Sequence, residues 1–158
     1  MEKKKIIIID DEEDFCFLLS NILESSGYFQ VSLAYDGESG RKLAVEQKPD
    51  LIFLDYIMPR MRGDEVLNLL RKDQRTRNIP IIMTSGLGEA AYVAKIIQKD
   101  KTGELDPVLE GRLPLPRDLT KEESSKLAQE WGVEAFLEKP FSKDMLFRVI
   151  KNILGNLS

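Results

Sequence analysis

Ile6 to Asp14 read "IIIIDDEED", four isoleucines followed without a break by five acidic residues. An apolar run with no polar alternation suits a strand covered on both faces, as the inner strands of a parallel sheet are. Its abrupt acidic end places carboxylates just beyond the carboxyl end of that strand. In open α/β sheets this is the edge where ligands bind. Whether the chain folds this way depends on whether the pattern recurs.

It does recur. "LIFL" at 51 to 54 and "IIM" at 81 to 83 are equally uninterrupted and read as further central strands. By contrast, "YFQVSLAY" (Tyr28 to Tyr35) sets Phe29, Val31, Leu33 and Tyr35 against Gln30, Ser32 and Ala34. "VEAFLE" (Val133 to Glu138) sets Val133, Ala135 and Leu137 against Glu134, Phe136 and Glu138. Period-two alternation of this kind marks edge strands. Helical spacing lies between them: Phe15, Leu18, Leu19, Ile22 and Leu23 in one stretch, and Met145, Leu146, Val149, Ile150, Ile153 and Leu154 in another. Weaker patterns occur at Leu43 with Ala44 and at Val66, Leu67 and Leu70. The expected fold is α/β: a doubly wound, five-stranded parallel sheet with helices on both faces. Order 2-1-3-4-5 puts the three apolar strands inside.

Composition narrows the function classes. The 158 residues are 42% hydrophobic and 32% charged, with a net charge of -4. That size suits one domain, residues 1–158, and leaves little room for a second. The mild negative charge carries no general basic footprint, so direct nucleic-acid binding is not expected. Cys16 is alone and the chain has no histidine, which excludes an internal disulfide and a soft metal site and fits a reducing, cytoplasmic setting. "MEKKKIIII" imitates a signal peptide, but its apolar run stops after four residues. No later run is long enough to span a membrane.

The residues that follow each apolar run are polar: Asp10 and Asp11 after the first, Asp55 after the third, Thr84 and Ser85 after the fourth, Lys139 and Pro140 after the fifth. Three carboxylates, a hydroxyl and an ammonium therefore converge on one rim. Two carboxylates 4 Å apart repel by roughly 4 kcal/mol at a surface-like dielectric, so such a cluster calls for a cation. Mg²⁺ takes oxygen ligands and keeps positions open for phosphate oxygens, which suits a site without histidine or cysteine ligands. Lys139 is placed to neutralise a phosphoryl group and Thr84 to hydrogen-bond it.

With these motifs in family order, the chain resembles the receiver domain of bacterial response regulators, and specifically the stand-alone chemotaxis-type receivers. The matching motifs are "IIIIDDEED", "LIFLDYIMPRMRG", "PIIMTSG" and "AFLEKPF". The resemblance runs from about Lys5 to Leu154 apart from one internal segment. It implies two-component signal transduction in a phosphorelay. Asp55 would receive a phosphoryl group from a histidine kinase or phosphotransfer protein, becoming an aspartyl phosphate. Asp10, Asp11, Asp55 and the backbone carbonyl of Ile57 would hold Mg²⁺. Thr84 and Lys139 would contact the phosphoryl group, and Thr84 with Phe136 would form the switch that reshapes the face of the fourth helix, fifth strand and fifth helix. The implied partners are a sensor kinase or phosphotransfer protein and a downstream protein target, with a homodimer left open. The chain is then no enzyme beyond self-phosphotransfer and slow autodephosphorylation.

Two departures stand out. Arg60 and Arg62 make the loop after Asp55 more basic than is usual for the family, which bears on phosphodonor or partner recognition. Ile57 offers no polar side chain two residues after Asp55. The expectation is that this restricts an attacking water and lengthens the phosphorylated lifetime.

Simpler readings compete. Glu12, Glu13 and Asp14 suit the amino end of the first helix, where the dipole favours negative charge. Phe136 alone reads as an ordinary edge-strand aromatic, and Cys16 as a packed thiol. Trp131 anchors a helix end before Gly132 or serves a partner surface. For the whole site there are two alternatives. A haloacid-dehalogenase-like phosphatase would need a second aspartate two residues after Asp55, where Ile57 stands. A pseudo-receiver that only binds proteins normally shows a degraded acidic pocket, and here the pocket is complete.

Between Thr84 and Lys139 lie 54 residues, against roughly 25 for a helix, a strand and two short loops. Residues 88–118 therefore read as an insertion within the domain, and "PVLEGRLPLPRDLTKEE" (Pro107 to Glu123) as part of it rather than as a linker. Ala90, Val93, Ala94 and Ile97 keep helical spacing. Thr120 and Glu123 give a capping-box signature for a second helix carrying Leu127, Ala128 and Trp131. Its approach to "GVEAFLEKP" favours the second as the family's fourth helix. The insertion is expected to tailor output or self-association. The last helix ends near Leu154, so output is expected through protein contacts or relay.

Overall fold

The computed structural model describes residues 2–86 and 120–157. Five strands, β1 (Lys4–Ile9), β2 (Phe29–Ala34), β3 (Leu51–Asp55), β4 (Ile81–Ser85) and β5 (Ala135–Glu138), form one sheet in the order β2-β1-β3-β4-β5. Every pairing is parallel, with Ile9 opposite both Ala34 and Leu54, Asp55 opposite Thr84, and Met83 opposite Phe136. Helices α1 (Glu13–Ser25), α2 (Gly37–Gln47), α3 (Gly63–Lys72), α4 (Lys121–Trp131) and α5 (Lys143–Leu154) connect or flank them. The expected α/β architecture and strand order are those found.

The uninterrupted apolar runs divide by parity. Ile7, Ile9, Ile52, Leu54, Ile81 and Met83 face Ala44 of α2, Val66, Leu67 and Leu70 of α3, and Leu127 and Ala128 of α4. Ile6, Ile8, Leu51, Phe53 and Ile82 face Cys16, Leu19 and Leu23 of α1 and Leu146 and Ile150 of α5. Alternate side chains of one strand thus feed two cores, which is why these strands carry no polar alternation. Each fully buried isoleucine or leucine contributes about 1.5–3 kcal/mol, and this double burial fixes the register. Edge strand β5 is split likewise, Phe136 joining the first core and Leu137 the second.

Local signals set the helix ends. Asp36 caps α2, its Oδ1 accepting from the Ser39 N–H at 2.8 Å, and Ser142 caps α5, its Oγ accepting from the Met145 N–H at 3.1 Å. Helix α4 begins immediately after Thr120, whose carbonyl accepts from the Ser124 N–H. The Glu123 side chain, the helical spacing at Ala90 to Ile97 and the 88–118 insertion lie outside the described residues.

Three side chains placed on apolar faces by the sequence are instead exposed, Leu18, Tyr35 and, at the start of α5, Met145. Leu18, assigned to the inward face of α1, is 59% exposed, and Cys16 takes the buried place. At 100° per residue the inward stripe is centred on Leu19, with Phe15, Cys16, Ile22 and Leu23 about it and Leu18 beyond its edge. Tyr35 is exposed because β2 ends at Ala34.

Candidate functional site

The parallel sheet brings the carboxyl ends of β1, β3, β4 and β5 to one edge, and the ladder extends past the strand ends to hold the rim. The Asp10 N–H donates to the Ala34 carbonyl (3.0 Å), the Tyr56 N–H to the Thr84 carbonyl (2.9 Å) and the Lys139 N–H to the Ser85 carbonyl (2.7 Å). Asp10, Asp11 and Asp55 each offer a carboxylate oxygen, and these oxygens lie within 4.8 Å of one another. Asp10 and Asp55 are buried, at 1% and 3% exposure, while Asp11 faces solvent.

Lys139 reaches this group from β5. Its Nζ donates to Asp10 Oδ2 at 2.8 Å and lies 3.6 Å from Asp55 Oδ1 and 3.6 Å from Glu12 Oε1. The same ammonium sits 4.2 Å from the centroid of the Phe15 ring, which meets Phe141 edge-on at 6.0 Å. A partly desolvated cation over an aromatic face gains about 0.5–2 kcal/mol, so Phe15 seats the lysine above the carboxylates. Asp10 is fixed further by the Glu12 N–H, which donates to its Oδ1 at 2.9 Å, and by the Cys16 thiol, which donates to its carbonyl at 3.3 Å.

Four carboxylates, those of Asp10, Asp11, Glu12 and Asp55, face one ammonium among the described residues. Burial pushes the Asp10 pKa above the usual carboxylate range, against the hydrogen bonds from Lys139 and the Glu12 N–H. Burial alone would lower the Lys139 pKa, but the Asp10 hydrogen bond and the charges of Asp55, Asp10 and Glu12 together raise it. The Asp10 shift thus comes from burial and the Lys139 shift from the carboxylates around it, while the excess of carboxylates over ammonium groups leaves the pocket short of positive charge. The donor set is all oxygen, so it fits a hard divalent cation and not a soft one.

Thr84 is buried beside Asp55 in the β3–β4 register. Ile57 lies in the loop two residues after Asp55 and its side chain is 39% exposed. Phe136 belongs to a different group of side chains, packing edge-on against Trp131 in the first core. In the basic loop, Arg62 is engaged by Asp64 at 3.0 Å and Glu65 at 3.8 Å, and Arg60 adopts the left-handed region (φ +71).

Sequence reasoning missed three residues here. Glu12 is the N-cap residue of α1 but makes no side-chain cap bond; its carboxylate turns to Lys139. Phe15 was legible only as an apolar helix residue. Gly63 is required by close approach: a Cβ there would lie 2.8 Å from the Tyr56 Cα and still closer to the Asp55 carbonyl oxygen, while the Gly63 N–H donates to the Tyr56 carbonyl at 2.7 Å. A glycine eight residues after Asp55 was visible, but nothing local revealed what it touches.

A five-stranded parallel sheet of order 2-1-3-4-5, flavodoxin-like, with a carboxylate pocket at its carboxyl edge is the architecture of a receiver. The chain belongs to the response regulator receiver domain family, whose pattern matches residues 6–106. It is 35% identical over 97 residues to a probable chemotaxis protein CheY from Rhizobium etli, a match covering 61% of this chain and 75% of that protein. It is 45% identical over 151 residues to the alkaline phosphatase synthesis transcriptional regulatory protein PhoP of Bacillus subtilis, covering 96% of this chain and 48% of that one. The chain thus spans half or less of the transcriptional regulators it matches. Among solved structures, the receiver domain of a Pseudomonas aeruginosa sensor histidine kinase, which has magnesium coordinated in its active-site cleft, superposes with a TM-score of 0.67. That pair is 21% identical, with 98% of this chain and all of the other covered.

Proposed function

We propose that Asp55 accepts a phosphoryl group from the phosphohistidine of a sensor kinase or phosphotransfer protein. An Asp55 carboxylate oxygen attacks phosphorus, the P–N bond breaks, and the donor histidine leaves as imidazole. The observation that carries this reading is the buried Asp55 carboxylate at the end of β3, grouped with Asp10 and Asp11 and 3.6 Å from the Lys139 ammonium. Asp10, Asp11, Asp55 and the Ile57 carbonyl are the proposed Mg²⁺ ligands. When bound, the ion supplies charge neutralisation for the phosphoryl oxygens. Lys139 binds a phosphoryl oxygen, Thr84 donates a hydrogen bond to another, and Phe136 follows Thr84 in reshaping the face of α4, β5 and α5 for a downstream protein.

In this reading residues 1–158 form a single receiver domain and 88–118 an insertion in it that adjusts output or self-association. The test is to incubate the protein with Mg²⁺ and a small acyl phosphate and follow intact mass. One added phosphoryl group that Asp55→Asn abolishes is the expected result. Multiple turnover of phosphate esters would establish a phosphatase instead, and no modification would leave a binding-only pseudo-receiver.

A further inference from the structure

Trp131 closes α4, and its ring meets two others. The Tyr56 ring lies 5.0 Å away, centroid to centroid, at an interplanar angle of 37°, and the Phe136 ring 5.7 Å away at 76°. Tyr56 directly follows Asp55, is buried, and is tied through its N–H to the Thr84 carbonyl. Phe136 projects from β5 opposite Met83. One indole therefore touches the residue next to the phosphoacceptor and the proposed switch aromatic, while belonging to neither strand. Interiors are packed at crystal-like density, so two buried rings that shift must move the third.

The chain after Trp131 is pinned. Gly132 adopts φ +68, its N–H donates to the Gln129 carbonyl at 3.2 Å, and the Val133 N–H donates to the Ala128 carbonyl at 3.0 Å, a Schellman-type end. Arg71 of α3 donates from Nη2 to the Gly132 carbonyl at 3.1 Å and from Nη1 to the Arg77 and Ile79 carbonyls at 3.0 and 2.7 Å. The carboxyl end of α4 is thereby fastened to α3 and to the chain entering β4. Trp131 is the last helical residue before this fastened turn.

We propose that Trp131 is the positioning residue through which the phosphorylation state of Asp55 reaches α4, taking displacement from Tyr56 and Phe136 and converting it into a reorientation of the helix. This rests on the phosphoacceptor reading of Asp55 given above. The chain has a single tryptophan, so its fluorescence reports this ring alone. With Mg²⁺ held constant, adding a small acyl phosphate should change the emission of the wild-type protein in step with the phosphoryl mass shift, and leave Asp55→Asn unchanged. Amide hydrogen exchange across Lys121–Trp131 should respond to phosphorylation in the wild type and in Trp131→Phe. Trp131→Leu, phosphorylated to the same extent, should lose that response. No mass shift would overturn the phosphoacceptor reading and this inference with it. A full mass shift with unchanged emission would overturn the inference alone, as would a Trp131→Leu protein whose α4 exchange still responds. Should Trp131→Leu not fold, the wild-type emission decides.

Discussion

Replacing Lys139 by methionine tests the electrostatics of the pocket directly. The Nζ lies 2.8 Å from Asp10 and 3.6 Å from Asp55. At an effective dielectric near 20, Coulomb's law gives about 6 and about 5 kcal/mol of attraction for those separations. Much of that gross attraction is offset by desolvation of the three charged groups. What remains when one partner is removed is the cost of buried carboxylates without their cation, about 3–5 kcal/mol. Each kcal/mol moves Tm by about 2–4 °C in a domain of this size, so Lys139→Met in chelator should melt on the order of 10 °C below the wild type. Methionine keeps a flexible unbranched side chain one atom shorter than lysine's and packs well against an aromatic ring, so the loss is chiefly one of charge. Thermal melts followed by circular dichroism, in chelator and then in excess Mg²⁺, give the comparison. Mg²⁺ should stabilise the variant more than the wild type, because the variant pocket lacks one more positive charge, and Asp10→Asn added to Lys139→Met should recover stability in chelator. Equal Tm values for wild type and Lys139→Met in chelator would refute the charge argument.

Gly63→Ala should destabilise by about 1–3 kcal/mol and impair Asp55 phosphorylation together, since its Cβ is driven against the Asp55 and Tyr56 backbone; denaturant titration and the mass assay check both. Cys16 is fully buried and burial is the largest cause pushing its thiol pKa up to about 12, so alkylation at pH 8 should proceed only through unfolding. Labelling of native protein at the rate of an exposed thiol would contradict this. Ile57→Asn should shorten the lifetime of the aspartyl phosphate by giving an attacking water a hydrogen-bonding partner; equal decay rates by intact mass would dismiss the role given to Ile57.

Much of the fold and the rim of the site could be read locally. Strands signal themselves through parity, and the uninterrupted isoleucines at 6 to 9 meant two covered faces, a condition met only inside the sheet. Asp10, Asp11, Asp55, Thr84 and Lys139 were legible for the same reason: each lies at or just past the carboxyl end of an apolar strand run, and parallel strands bring those ends to one edge. What lay beyond reading was any contact set by helix phase or close approach. Leu18 fits the helical period as well as Cys16 does, and only the direction in which α1 faces β1 and α5 separates them. Phe15 and Lys139 are 124 positions apart, Gly63 needs its hydrogen only because α3 starts against Asp55, and Trp131 meets Tyr56 and Phe136 only where the turn at Gly132 directs it. By itself the sequence determined the doubly wound sheet and which carboxylates sit on its edge, because both follow from periodicity along the chain. The seat of the lysine, the Glu12 carboxylate beside it and the aromatic link to α4 were decided by the tertiary structure, because they depend on distances between elements that no local pattern encodes.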